Sequence, residues 1–335
     1  MKFGITFNLA DTPSDVSDWV ALAEERGFVH GMVTDSQMIW RDVYVALTLC
    51  AIKTNKMKLG TGVTNPYTRH LTVTANAISS VDELSGGRAF LGIGVGESSV
   101  YTLGLKPRPL QELRIAVPLI RSLIRGEEVE YEGKKIRSTW SKRDVPVYIA
   151  ASGPKSLEQA GEIADGVIIQ VGAYAPLIKF ALERVKAGLA KSGRSLRNVD
   201  VWIRAICYVS KNREEVRREV RTFAATTANT VTRFTRATEK LGHLFSPELK
   251  RDMEACMKAY DYYEHEAHGA KHAEVVTDRI IDAFVIAGTP DDCTSKIRNI
   301  VKETGLERLS LATYGMTNKP SFIKTFANEV MPNFN

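Results

Sequence analysis

Cysteine is scarce: the 335 residues hold only Cys50, Cys207, Cys256 and Cys293, and no two stand close enough for a CxxC pair. That excludes a zinc ribbon and a compact disulfide framework, and three of the four sit in apolar surroundings that suit reduced, buried thiols. None has the local basic activator that a nucleophilic thiolate needs. Long apolar runs are missing too. The longest, such as Val145 to Ala151, fall far short of the roughly 20 residues of a membrane helix. Lysine and arginine form no block with interleaved aromatics, so the modest net charge of +6 suits a small anionic ligand better than nucleic acid. Met1 to Phe7 alternates like a strand and lacks the apolar core and cleavage site of a secretory signal, from which we expect a cytoplasmic protein.

What the chain does have is a regular beat. Phe3 to Phe7 reads as a strand, and Thr12-Pro13-Ser14-Asp15 then supplies an N-cap, a first-turn proline and an early acid ahead of Val16, Trp19, Val20 and Ala23. Gly27 ends that helix. A strand over Gly31 to Thr34 precedes a helix with Val43, Ala46, Leu47, Cys50 and Ala51 on one face. Another over Met57 to Thr61 precedes one presenting Val73, Ala77, Val81 and Leu84, closed by Gly86-Gly87. The beat continues through strands at 88–93, 145–150, 166–170, 199–209 and 308–313. Parallel strands need a crossover helix each, and eight of them close into a (β/α)8 TIM barrel, an α/β fold.

Such a barrel needs only about 250 residues, so we expect a single domain over 1–335 with insertions. One is the charged stretch Glu127 to Arg143. The other, Lys211 to Ala287, is mostly helical in pattern and rich in Thr, Arg and Tyr, and predicts a lid over the end of the barrel where sites form.

In this fold the residues just after each strand are the candidates for chemistry. Strand two ends in Thr34-Asp35-Ser36-Gln37 with Trp40 behind, and Asp35 could bind a ligand or cap the next helix. Strand three runs into Gly60-Thr61-Gly62-Val63-Thr64-Asn65-Pro66, where glycines allow either a flat ligand close to the backbone or a tight turn. Strand four ends in Gly92-Ile93-Gly94-Val95-Gly96-Glu97-Ser98-Ser99, which is GxGxG rather than the dinucleotide GxGxxG. Strand five ends in Ala151-Ser152-Gly153-Pro154, a helix start that could hold an anion on its N–H groups or be capped by Ser152. Gln170 closes strand six at the same rim. His265, His268 and His272 share a helical spacing. They read as part of a polar lid helix, and we assign no metal.

These rim segments resemble the luciferase-like flavin and deazaflavin (coenzyme F420) oxidoreductases, closest in motifs to the methylenetetrahydromethanopterin reductases. The likeness spans nearly the whole chain and is strongest from Leu59 to Arg69, from Ser80 to Gly94 and at Ala151-Ser152-Gly153-Pro154 with Ala164-Asp165-Gly166. It implies a non-prolyl cis peptide at Gly62–Val63 forming a bulge behind the central ring, with Thr61 and Asn65 beside it. It implies that Gly96, Glu97 and Ser98 line the isoalloxazine, and that Ala151, Ser152, Gly153 and Gln170 receive the phosphate end. Asp35, Ser36, Trp40 and Glu97 then stand nearest the reacting atoms. A side chain at position 62 is expected to invade the place of the ring.

Ser36 departs from the pattern, since the deazaflavin dehydrogenases usually carry histidine after that aspartate. A serine is a poor base near neutral pH without an activating partner. The first expectation is therefore a monooxygenase using reduced FMN from a separate flavin reductase. The second is an F420-dependent hydride transferase, and the third a non-catalytic flavin-binding subunit. In each case the partner is a small molecule, and we expect a homodimer.

Overall fold

Each crossover returns the chain to the same edge, so the strands all run in parallel. The computed structural model describes residues 1–236, 238–265, 267, 269–314 and 316–334, and of residues 239 and 240 the backbone only. The order is β1 (Lys2–Phe7), α1 (Pro13–Glu25), β2 (His30–Val33), α2 (Val43–Lys53), β3 (Lys58–Thr61), α3 (Leu71–Leu84), β4 (Ala89–Ile93), α4 (Ser98–Tyr101) and α5 (Leu110–Ile124). A hairpin, β5 (Val129–Tyr131) and β6 (Lys134–Ile136), follows, then β7 (Val147–Ala151), α6 (Pro154–Ile163), β8 (Gly166–Ile169), α7 (Ala175–Lys191) and β9 (Asp200–Val209). The insertion holds α8 (Arg213–Arg236), α9 (Pro247–Ala259) and α10 (Asp278–Phe284). After it come β10 (Ile286–Gly288), α11 (Pro290–Thr304), β11 (Arg308–Ala312) and α12 (Lys319–Thr325).

Strands β1-β2-β3-β4-β7-β8-β9-β11 form the closed eight-stranded TIM barrel, with β8 pairing β9 and β11 pairing β1. The carboxyl end of the long insertion is not lid: Ile286 to Gly288 adds a ninth parallel strand along β9. Inside the barrel, Met32, Phe90, Tyr148, Ile168 and Trp202 form a packed layer below the rim. His30 lies flat between Phe90 and Trp202, at 4.1 and 4.4 Å, and burial drops its pKa to about 3.

Helix α1 starts on Thr12, whose hydroxyl accepts from Asp15 N, and α2 buries the five residues expected of it. Helix α3 is rotated from the expected face. Val73 and Leu84 are exposed, while Thr74, Ala75, Ile78 and Asp82 join Val81 inside. Asp82 earns its burial by accepting from Ala89 N and pairing with Arg143, so a polar residue belongs to the inner stripe.

The histidine spacing does not mark a helix. The described residues of 260–273 form turns and a short 3-10 segment because Tyr260 leaves the helical region at the end of α9 and Gly269 takes φ +75°. His265 and His272 each pack against Tyr260, and His268 lies outside the described residues.

Candidate active site

A cavity of about 400 Å³ opens at the carboxyl ends of the strands, between the barrel rim and α8. Of the residues singled out in the sequence, Asp35, Ser36, Trp40, Gly62, Val63, Gly96, Glu97, Ser98, Ala151, Ser152, Gly153 and Gln170 line it. Thr61 and Asn65 do not. Thr61 turns its hydroxyl to Gly92 O at 2.5 Å, and Asn65 holds Ser99 Oγ at 3.0 Å and the amides of Tyr67 and Thr68. Both shape the loops behind the wall because their side chains are consumed by the loops' own backbone and hydroxyl groups.

Asp35 is buried, accepts from Thr64 Oγ1 at 2.6 Å and pairs with Arg69. It caps nothing, since Asp42 holds the first amides of α2. Arg69 also bonds Asp42 at 2.8 Å, so one guanidinium ties the strand-two loop to the start of α2. Ser36 Oγ lies 2.6 Å from Ser98 Oγ, joining the ends of β2 and β4.

Gly62–Val63 is a cis peptide. The bulge is pinned by Gly62 N to Val33 O at 2.7 Å, Thr64 N to Gly92 O at 3.0 Å and Gly94 N to Thr64 O at 2.9 Å. A Cβ on Gly62 would stand 2.7 Å from Met32 Cβ, inside the barrel layer and away from the cavity. The demand for glycine there comes from the core below, which corrects the expectation that a side chain would displace the ring. Gly96 is constrained differently: its φ is +77° and a Cβ would lie 2.3 Å from Val100 Cγ2.

Helix α6 begins at Pro154 with Gly153 as N-cap and no side-chain cap. Ser152 does not cap it, because its hydroxyl donates to Gln170 O at 2.8 Å. The first-turn amides of Lys155 and Ser156 are therefore left facing outward without a side-chain acceptor, the arrangement that receives anions.

Sequence reasoning missed the arginines and the lid contacts. Arg204 rises from β9, donates to Gly62 O at 2.5 Å and lies over the Tyr314 ring at 5.8 Å. The Gln170 amide, turned to present its oxygen, accepts from Arg204 Nη2 at 2.9 Å. The available signal was a lone charge inside the apolar strand Val201-Trp202-Ile203-Arg204-Ala205-Ile206. From α8, Thr230, Arg233 and Phe234 close the mouth. Arg233 bonds Glu97 at 3.1 Å, Tyr262 Oη at 2.6 Å and Tyr101 Oη, and Thr230 donates to Glu97 at 3.3 Å. Glu97 is thus the latch between the β4 loop and the lid. His265 reaches the cavity beside Trp40, with ring centroids 5.9 Å apart, and hydrogen-bonds Tyr260. Burial pushes its pKa down to about 3, so the imidazole is neutral at physiological pH.

This barrel, with its site at the strand ends, defines a class of enzyme, and comparison with known proteins places the chain within it. The chain belongs to the luciferase-like monooxygenase family, whose model matches residues 2–308, and it is an oxidoreductase. It is 35% identical to the 5,10-methylenetetrahydromethanopterin reductase of Methanolobus tindarius, covering 99% of this chain and 100% of the relative. The reductase of that name from Archaeoglobus fulgidus is also 35% identical, with 99% of each chain covered. The coenzyme F420 dependent tetrahydromethanopterin reductase from Methanopyrus kandleri superposes with a TM-score of 0.82 at 27% identity, over 100% of this chain and 99% of that one.

Proposed function

We propose that the protein is a coenzyme F420-dependent hydride transferase, similar to the methylenetetrahydromethanopterin reductases, acting on a C–N or C–O centre of a small organic molecule. One observation carries the ligand's shape: the Gly62–Val63 bulge with Gly94 and an uncapped helix N-terminus border the same cavity. A Cβ on Gly94 would crowd Val63 Cγ2 at 3.3 Å, so glycine there keeps the bulge and the β4 loop close together as one side of a slot, and the amides opening α6 suit a phosphate. The relatives at 35% identity over the full chain favour the deazaflavin over FMN, which reverses the order of the two readings expected from the sequence.

The bound deazaflavin would supply the hydride. The chain's own residues do the rest. Gly62, Val63 and Gly94 back the ring, Gly96 and Ser98 border it, and Ala151, Ser152, Gly153 and Gln170 receive the phosphate end. The Glu97–Arg233 latch holds α8 over the mouth and keeps water from the reacting atoms. Trp40, Ser36 and His265 face the substrate. With Ser36 bound to Ser98 and, among the described residues, no imidazole beside Asp35, no strong base stands there at the end of β2. His265 is uncharged and serves as a hydrogen-bonding group that orients substrate without changing charge.

Anaerobic fluorescence titration with F420 and with FMN, each oxidised and reduced, tests the reading. We expect tight binding of the deazaflavin and no oxygen consumption. Tight FMNH2 binding with substrate-dependent oxygen uptake would replace it with the monooxygenase that takes flavin from a separate reductase, a reading favoured by the serine at position 36. Substrate-dependent turnover by the isolated chain removes the non-catalytic alternative, and light scattering checks the expected homodimer.

A further inference from the structure

Three arginines stand at or beside the cavity, and two are neutralised. Arg69 is paired with Asp35 and Asp42, and Arg233 with Glu97. Arg204 is different. Its acceptors, Gly62 O and the Gln170 amide oxygen, are both neutral, and among the described residues no carboxylate lies within ion-pairing distance. A guanidinium carries five N–H donors, so two acceptor atoms leave it undersupplied as well as uncompensated in charge. Arg204 itself is half-buried, and Trp202 on the same face of β9 is buried beneath it. Holding a cation in such a place without a counter-charge costs free energy that a bound anion would return.

The guanidinium also has somewhere to put an anion, on its main-cavity side. Arg204 borders the main cavity and, behind it, a chamber of about 80 Å³ whose lining includes the Glu97 carboxylate and His265 beside Gly172, Thr226, Thr227 and Thr230. Ser152, Gly153 and Ser156, at the other anion place, border the main cavity and not this chamber. The Glu97 carboxylate of that chamber is taken up by Arg233 and Thr230, which leaves the Arg204 charge to a ligand in the main cavity.

We propose that Arg204 is the receptor for an anionic group of the substrate, a carboxylate or a phosphate, seated on the cavity floor between β9 and α8. Two charges are then read at two places joined by Gln170: the cofactor's at the start of α6, the substrate's at Arg204. The proposal rests on the hydride-transferase reading for the identity of the second ligand. It makes the substrate an organic acid or a phosphate ester. Arg204 sets specificity here by supplying a charge that a neutral analogue leaves unpaired.

Calorimetric titration of the full chain, with and without bound F420 and in low-chloride buffer, tests it with inorganic phosphate, succinate and the neutral succinamide as probes. Phosphate or succinate should bind saturably while succinamide does not, and Arg204→Gln should weaken that binding about tenfold or more. Arg204→Lys, which keeps the charge, should retain part of it. Gly153→Asp, which closes the α6 place, should leave the anion bound. Equal binding by wild type and a folded Arg204→Gln overturns the proposal, as does loss of F420 affinity with the anion unaffected. Arg204-dependent anion binding in a chain that takes up no F420 would reject the hydride-transferase reading and leave the receptor standing. Binding of phosphate would indicate an ester substrate, and of succinate alone a carboxylic acid.

Discussion

Met32 decides what position 62 tolerates. Because the added Cβ of Gly62→Ala meets Met32 Cβ, which no rotamer change can move away, the strands themselves must shift. Overpacking of this kind costs about 1–3 kcal/mol, so the variant should unfold at lower urea as well as losing cofactor affinity. A variant of unchanged stability that fails to bind would restore the picture of a side chain entering the ring's place. His30 makes a second prediction at this scale. Its ordinary pKa is 6.5 and its folded value about 3, so below pH 6.5 the unfolded chain takes up a proton that the folded chain refuses. Stability therefore falls as the pH drops from 6.5 towards 3, by about 1.4 kcal/mol per unit for this one group once well below 6.5, or roughly 2 kcal/mol by pH 5. His30→Phe keeps a flat ring between Phe90 and Trp202 and should flatten the denaturation profile between pH 5 and 6.5 by about one proton. An unchanged slope would mean that the histidine charges in place.

Helix α6 is an element whose two possible uses exclude one another. A carboxylate at the N-cap would bond the amides that the anion needs, and Gly153 has extended φ and ψ with a Cβ there in ordinary contact, 3.7 Å, with Phe234 Cβ and Ser156 Oγ. Gly153→Asp should thus raise thermal stability slightly, by about 0.5 kcal/mol, while weakening cofactor binding at least about tenfold by charge repulsion and occupied donors. A simultaneous gain or loss of both properties would contradict the anion place. Arg233 is the charged tie of the lid, joining α8 to Glu97, Tyr101 and Tyr262 beside the bonds of Thr230 and Asn229. Arg233→Met should speed amide exchange in α9 and around Tyr262 and raise KM more than it lowers kcat. Unaltered exchange would show that the latch is not what holds the lid. Most elements were legible because they carry local signals: caps at Thr12, glycine stops and the apolar stripe of α2. The face of α3 was not, because Asp82 is inside only by virtue of Arg143 and Ala89, partners that lie in other elements. Spacing likewise suggested a helix through the lid histidines, where Tyr260 breaks it.

For the molecule as a whole, a net charge of +6 sets up a field that favours anionic ligands. The apparent affinity for the deazaflavin should fall several-fold between about 0.05 and 0.5 M salt, as the screening length shrinks from above 10 Å to below it. Insensitivity to salt would confine the attraction to direct contacts. The chain's own order of residues determined the barrel, because a strand-and-helix beat with crossover connections has few other ways to bury its apolar faces. It also marked the rim segments, since glycines, a helix-opening proline and polar strand ends are written locally. Which of those residues face the cavity was decided only by folding. Thr61 and Asn65 turned to their neighbours, Glu97 turned to the lid, and Arg204, silent in an apolar strand, arrived at the floor with only neutral acceptors among the described residues. Partners far apart along the chain settle such choices, and a charge has no visible counter-ion or lack of one until the strands that surround it have closed.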